Sequence, residues 1–246
     1  MKISVITVCY NSSATIEKTF QSVASQTYDD IEYIVIDGGS SDCTPEIIKK
    51  YNHVITSWVS EKDQGLYDAM NKGIRKATGE YIGILNSDDT FYDIHTLENI
   101  AGFLQQEKVD ASIGNIVQHN GGRVIRTYSS QKWCPKDLKV GFMPPHPSIF
   151  FKKELFDKLG YYSLDFDIGA DYELITRYFL KHNISFGYSN ITTTSMLMGG
   201  LSSSGLKSYL LLSKENGKAL NMNNIDYSKW KMYGRGLRKL KQFIPV

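Results

Sequence analysis

The chain has 246 residues, 41% of them hydrophobic and 22% charged, enough to bury one large α/β core with a short extension. Its net charge of +2 is uneven: residues 229–246 hold Lys229, Lys231, Arg235, Arg238, Lys239 and Lys241 with no acidic residue, and removing those six charges leaves −4 on the first 228 residues. An acidic body argues against a general nucleic-acid binder, and three cysteines without a C-x-x-C pair (Cys9, Cys43, Cys134) argue against a disulfide framework or zinc site and fit a reducing cytoplasm.

Met1 runs straight into a strand pattern, with no charged and apolar leader. No apolar run approaches the roughly 18 residues of a spanning helix, so a soluble or peripheral protein is expected. Ile3 to Val8 reads as a strand, and Ile16, Phe20, Val23 and Ala24 then recur at helical spacing. Ile31 to Ile36 is a second apolar run, ending at Asp37. Thr44-Pro45 marks a helix start, and a third strand is expected around Val54 to Val59. A helix bearing Ala69, Met70, Gly73, Ile74 and Ala77 precedes a fourth strand, Tyr81 to Leu85, which runs into Asn86-Ser87-Asp88-Asp89.

Strands alternating with helices predict a largely parallel sheet covered by helices. Ligands of such sheets bind at the carboxyl ends of the strands, which would place Asn11, Asp37, Glu61 and Asp88-Asp89 on one rim. Beyond residue 110 the pattern is mixed, with strand-like runs at Ala111 to Val117, Ile149 to Phe151 and Thr193 to Leu197. Helices are expected from Tyr172 to His182 and from Ser208 to Ala219. One domain over residues 1–225 is expected, divided near residue 110 into two halves, with a tail over 226–246.

Two adjacent carboxylates repel each other and are costly to desolvate, so Asp88-Asp89 at the end of a buried strand reads either as a solvated loop or as a divalent-metal site. Mg²⁺ or Mn²⁺ shared with a diphosphate would offset the cost. There is no Walker loop and no G-x-G-x-x-G, so phosphate charge would be met by that metal, together with Lys72 or the backbone near Gly199-Gly200. Asp37-Gly38-Gly39-Ser40-Ser41-Asp42 reads as a strand-to-helix turn in which glycine allows a flat ligand close to the backbone. Asp171 opens a helix, where an N-cap or a favourable first-turn charge is the plain reading.

Three blocks and the tetrapeptide carry a resemblance. Thr7-Val8-Cys9-Tyr10-Asn11, then Val35-Ile36-Asp37-Gly38-Gly39-Ser40-Ser41-Asp42, then Ser60 to Gly73 in the order SEKDQGLYDAMNKG resemble successive nucleotide-binding segments of the family 2 glycosyltransferases of GT-A fold. The similarity is greatest to bacterial enzymes of O-antigen and capsular polysaccharide synthesis, and it spans residues 2–205. It implies an inverting, metal-dependent transfer of a sugar from a nucleoside diphosphate, a UDP-hexose or UDP-N-acetylhexosamine, to a saccharide hydroxyl. Asn86-Ser87-Asp88-Asp89 resembles the family's D-x-D-type site with Ser87 at its first position, which implies Asp89 as metal ligand and Asp88 as ribose or metal contact.

By the same resemblance Asp37 and the segment Thr7, Cys9, Tyr10, Asn11 hold the base, while Glu61 and Asp63 lie near it or the donor sugar. Gly169-Ala170-Asp171 resembles the family's Glu-Asp motif with Ala170 in place of Glu, making Asp171 the base that takes the acceptor proton; Asp165, Asp167 and Glu173 stand nearby as alternatives. His146, in a rigid Pro-rich turn, reads as structural or, by resemblance, as an acceptor contact. Gly199-Gly200-Leu201-Ser202 resembles a loop closing over the diphosphate, so Gly200 and Ser202 are diphosphate candidates.

Trp230, Tyr233, Leu237, Leu240 and Phe243 lie among the tail's cations at spacings compatible with an amphipathic helix, which could lie on anionic lipid or contact a subunit. A cytoplasmic enzyme peripheral on the inner face of the membrane, acting on an acceptor carried by polyprenyl diphosphate, is the expectation. Its rivals are a catalytically inactive homologue, a peripheral scaffold, and a sugar-nucleotide pyrophosphorylase. The last should show a glycine-rich basic loop that Thr7 to Thr15 lacks.

Overall fold

Apolar β-branched residues set the first strand, β1 (Ile3–Cys9), which is buried along its whole length. In the computed structural model, which describes residues 1–198 and 205–233, it is followed by α1 (Ile16–Ala24), β2 (Ile31–Asp37), α2 (Thr44–Lys50), β3 (Ser57–Ser60), α3 (Leu66–Lys76) and β4 (Tyr81–Ile84). These four strands are parallel, in the order β3-β2-β1-β4. Parallel sheets need cover on both faces, and period-two alternation along each strand supplies two apolar faces.

One face of β1 presents Ile3, Val5 and Cys9, which join a core with Ile16, Phe20 and Val23 of α1 and Ile48 of α2. Each such side chain contributes about 1.5–3 kcal/mol by leaving water. The opposite face of the sheet presents Ile6 of β1 and Ile36 of β2 to α3, which approaches so closely at Gly73 that a Cβ there would lie 2.5 Å from Ile6 Cγ2. Only glycine permits that approach.

The chain continues through β5 (Thr90–Phe91), α4 (Thr96–Glu107), β6 (Ala111–His119), β7 (Val124–Tyr128), β8 (Ile149–Lys152), α5 (Lys153–Leu159) and β9 (Phe186–Leu197). Here pairing is mixed: β8 is antiparallel to β4 and β6, β9 is parallel to β6, and β5 and β7 pair antiparallel with β9 and β6. The nine-stranded sheet belongs to a first compact unit, residues 1–131, 144–162 and 185–198. A second unit takes residues 132–143, 163–184 and 199–246; its described helices are α6 (Ala170–Thr176), α7 (Gly205–Met222) and α8 (Lys229–Tyr233).

Three expectations need correction. The third strand starts at Ser57 and not at Val54, because Val54 and Ile55 donate their N–H groups back to Tyr51 in a turn that ends α2. The helix expected over 172–182 is α6 followed by a wider π-helical turn over Arg177–Lys181, closed by His182 N–H on the Arg177 carbonyl. The final strand runs from Phe186 rather than Thr193; a left-handed Asn190 (φ 56°) and an irregular register against β6 break the alternation that would have revealed it.

Candidate active site

Parallel, in-register pairing puts Cys9, Asp37 and Ser60 in one row at the carboxyl edge of β1, β2 and β3. Asp37 is fully buried there. One of its oxygens accepts the Ser40 hydroxyl and the Cys9 thiol, and the other accepts the Ser60 hydroxyl and the Ser40 N–H. These four donors fill the lone-pair sites of a carboxylate, so Asp37 is a fixed acceptor that organises the edge. Burial, and then the charge of Asp37, push the Cys9 thiol up, keeping it protonated as a donor.

The segment before it divides by exposure. Thr7 is buried and takes a hydrogen bond from the Tyr33 hydroxyl at 3.0 Å, whereas Tyr10 is 65% exposed. Asn11 adopts a left-handed backbone (φ 50°), held by its N–H on Ser40 Oγ at 2.7 Å and by its Oδ1 on the Ser41 N–H at 2.9 Å. Asp42 accepts N–H bonds from Ser13 and Thr44; the bonds from Thr44 first, then from Ser13, hold its carboxyl well below the usual range. The first two sequence blocks are thus one hydrogen-bonded unit.

The third block locks onto the second. A Cβ on Gly38 would fall 2.4 Å from Asp63 Oδ2, so the Asp63 carboxylate rests directly on the glycine turn. Its other oxygen accepts the Gly65 N–H at 2.8 Å. Exposed Glu61 pairs with Lys72 at 2.9 Å, and Lys72 also meets Asp68 at 3.6 Å and the Lys62 carbonyl at 3.1 Å. The Glu61 bond leads in raising the Lys72 ammonium above its ordinary value. Lys72 therefore braces the edge of β3 against α3.

At the end of β4, Ser87 Oγ shares a 2.9 Å hydrogen bond with Ser12 Oγ, linking this loop to the one after β1. Asp89 is 1% exposed; burial, then the neighbouring Asp88, push its carboxyl up to about 8. It accepts the Asn86 amide at 3.3 Å and the Leu197 N–H, and its own carbonyl accepts the Thr19 hydroxyl. Asn86 Oδ1 is buried with no partner among the described residues.

A buried carboxylate left short of positive charge, a second carboxylate beside it and an orphaned amide oxygen are hard oxygen donors of the kind Mg²⁺ and Mn²⁺ take, so the residues fit a divalent cation. Among the described residues no set of three or more His, Cys, Asp or Glu side chains forms a closed cage. The remaining ligands would be phosphate oxygens and water, as these ions commonly accept.

His146, expected to be structural or to face an acceptor, is buried, which pushes its pKa down to about 4. Its Nε2 bonds Tyr162 Oη at 2.6 Å. Tyr162 stacks on Tyr67, and its backbone exchanges two hydrogen bonds with Asn71 of α3 (2.9 and 3.0 Å).

In the second unit Asp171 is half-buried in the first turn of α6, one oxygen on the Tyr172 N–H at 2.7 Å. Of the alternatives to it, Glu173 is set aside: it is buried, forked to Arg177 through two 2.9 Å bonds, and accepts Asn223. Gly199, Gly200 and Ser202 lie outside the described residues, as do Leu237, Leu240 and Phe243.

Sequence reasoning missed Ser12, Ser40, Ser60, Asn71, Asn86 and Tyr162 as participants. Ser40, Ser60, Asn71 and Asn86 lie inside the quoted motifs, and for Ser40, Ser60 and Asn86 nearby carboxylates were the available signal.

A mixed sheet with a parallel half whose carboxyl edge gathers buried acidic residues beside a glycine turn matches the GT-A, Rossmann-like α/β fold. The chain belongs to glycosyl transferase family 2, whose family model matches residues 4–168. It is 29% identical to a PGL/p-HBAD biosynthesis glycosyltransferase of Mycobacterium bovis over 211 residues, 81% of this chain and 78% of that one. It is 33% identical to the poly-beta-1,6-N-acetyl-D-glucosamine synthase of Staphylococcus epidermidis over 186 residues, 70% of this chain and 45% of that one. The fold resembles S. aureus TarS 1-349 in complex with UDP-GlcNAc (TM-score 0.72, 20% identity, 99% of this chain and 73% of that one). It also resembles the mannosyltransferase PcManGT of Pyrobaculum calidifontis in complex with GDP-Man and Mn²⁺ (TM-score 0.69, 20% identity, 97% and 69%). The chain is a glycosyltransferase with relatives in glycan biosynthesis.

Proposed function

We propose that the chain is an inverting, metal-dependent enzyme that moves a hexose or N-acetylhexosamine from UDP to a hydroxyl of a saccharide carried on polyprenyl diphosphate, in synthesis of cell-surface polysaccharide such as O-antigen or capsule. The observation that carries this is the meeting, at one sheet edge, of the fixed Asp37 turn with buried Asp89 and adjacent Asp88. The glycine turn that Asp37 fixes and the Tyr10-Asn11 loop would receive the nucleoside, with Glu61 and Asp63 beside it.

Asp88 and Asp89 would hold Mn²⁺ or Mg²⁺, which when bound supplies positive charge to the departing diphosphate. A hydroxyl is a weak nucleophile at neutral pH, and Asp171 is assigned to take its proton as the new bond forms. UDP is supported by the UDP-GlcNAc complex of TarS, and a divalent ion by the Mn²⁺ complex of PcManGT, both neighbours in fold.

Contact with an anionic membrane on its cytoplasmic side is supported by α8, where Trp230 is 91% exposed between Lys229 and Lys231. No described helix is long and apolar enough to cross a membrane. Calorimetry against UDP, GDP, CDP and TDP, each with Mn²⁺ and with EDTA, tests the donor reading. Binding of UDP alone, and only with Mn²⁺, is expected; binding of none of the four would overturn it.

A further inference from the structure

The backbone that leads into α6 is held from α7. Glu215 is buried, and its two carboxylate oxygens accept consecutive backbone N–H groups, Asp167 at 2.8 Å and Ile168 at 3.0 Å. The next residue, Gly169, packs against the same side chain so tightly that a Cβ would lie 2.9 Å from Glu215 Oε2 and 3.0 Å from its Cβ. One turn further along α7, Lys218 donates to the Asp165 carbonyl at 2.6 Å and lies over the Phe166 ring at 4.6 Å.

Five consecutive residues before the helix, Asp165 to Gly169, are thus clamped by two side chains that stand three apart on one face of α7. A buried carboxylate taking two charge-assisted amide bonds is a stiff support, and Asp171 follows this loop by two residues, in the first turn of α6.

We propose that Glu215 is a positioning residue for proton removal from the acceptor: through the Asp167–Gly169 backbone it fixes where the Asp171 carboxylate stands. This rests on the assignment of Asp171 as the base. It predicts a catalytic effect from a residue that touches no substrate, since displacing a base by about 1 Å can cost on the order of 100-fold in rate. Glu215→Gln keeps the size of the side chain but turns an amide against one of the two N–H groups, so the loop loses one anchor and shifts.

The test combines amide exchange with turnover. Wild type, Glu215→Gln, Asp171→Asn and the double variant are compared by hydrogen–deuterium exchange over residues 165–171. UDP release by donor hydrolysis in Mn²⁺, in which water takes the sugar in place of the acceptor hydroxyl and gives up its proton to the base, is followed with whichever of UDP-glucose, UDP-galactose and UDP-N-acetylglucosamine turns over fastest, and UDP affinity is measured by calorimetry. Glu215→Gln should exchange faster at Asp167 and Ile168 and release UDP about 10- to 100-fold more slowly, with UDP affinity unchanged. In the Asp171→Asn background the same change should cost nothing more, because the group it positions is already disabled.

Unaltered exchange, unaltered UDP release, or a full extra loss in the double variant would each overturn the positioning role. Full activity of Asp171→Asn would instead overturn the base assignment. Should Glu215→Gln fail to fold, Gly169→Ala perturbs the same contact from the loop side and should show the same split between rate and affinity.

Discussion

Asn86 donates its amide to Asp89 at 3.3 Å while its own buried oxygen finds no partner among the described residues. The pair is therefore short of positive charge, as the proposed divalent ion requires. Asp89→Asn should abolish Mn²⁺-dependent UDP binding, with at least a 100-fold loss of affinity by calorimetry, yet make the metal-free protein more stable. The sign follows from the carboxyl being pushed up to about 8 in the folded chain: its contribution is present below its unfolded value, near 4, and is lost as pH rises toward 8. At pH 8.5 in EDTA the variant should melt above wild type. A lower melting temperature would contradict the reading of Asp89.

The same shift predicts that metal binding releases a proton. With burial pushing the Asp89 carboxyl up to about 8, its protonated form is favoured near neutral pH, and a bound ion would have to displace that proton. Apparent Mn²⁺ affinity, measured with UDP present, should rise up to tenfold per pH unit between pH 6 and 8 and then level off. Calorimetry in buffers of different ionisation enthalpy should count close to one proton released at pH 7; zero would show that Asp89 is already ionised.

His146 should make the fold acid-sensitive. Burial depresses its pKa to about 4, so the neutral ring is favoured in the folded state. The stability this confers is complete above the unfolded value near 6.5 and falls away as pH drops toward 4, by up to about 3 kcal/mol. His146→Gln should flatten the loss of denaturation midpoint between pH 6.5 and 4, as read from urea titrations.

Two glycines should separate packing from function. Gly73→Ala drives a Cβ into Ile6 of the core and should cost about 1–3 kcal/mol in urea unfolding with UDP affinity unchanged. Gly38→Ala drives one into the Asp63 carboxylate at the sheet edge, so it should weaken UDP binding by tenfold or more. Equal effects of both on affinity would remove the functional role of the Gly38–Asp63 contact.

Asp171→Asn should bind UDP and Mn²⁺ like wild type while losing UDP release by a factor of about 100 or more, within the range usual for a general base. Turnover within twofold of wild type would return the proton-accepting role to Asp165 or Asp167.

Three of the four parallel strands could be read in the sequence because each is an apolar run closed by a polar cluster: Ile3 to Val8 before Tyr10-Asn11, Ile31 to Ile36 before Asp37-Gly38, Tyr81 to Leu85 before Asn86. Where the periodicity is interrupted, the elements were obscured: Asn190 bends β9, and the π-helical turn at Arg177 widens a helix that its apolar spacing describes as uniform. Carboxylates of the candidate site stood out by their motifs. Ser60, which closes the hydrogen bonding of Asp37, and Glu215, which grips a loop 47 residues away, act only through pairing in space, and no local pattern announces them.

Ser87 shares its hydroxyl with Ser12 where a third carboxylate would make the proposed metal pocket more negative. A pocket furnished with only two acidic groups would hold a free ion weakly, and the nucleotide's phosphates would complete the shell. Coupling between ligands is reciprocal, so ion and donor would each raise the other's affinity. The enzyme would then be armed by its donor, idle between turnovers, and indifferent to the metal alone.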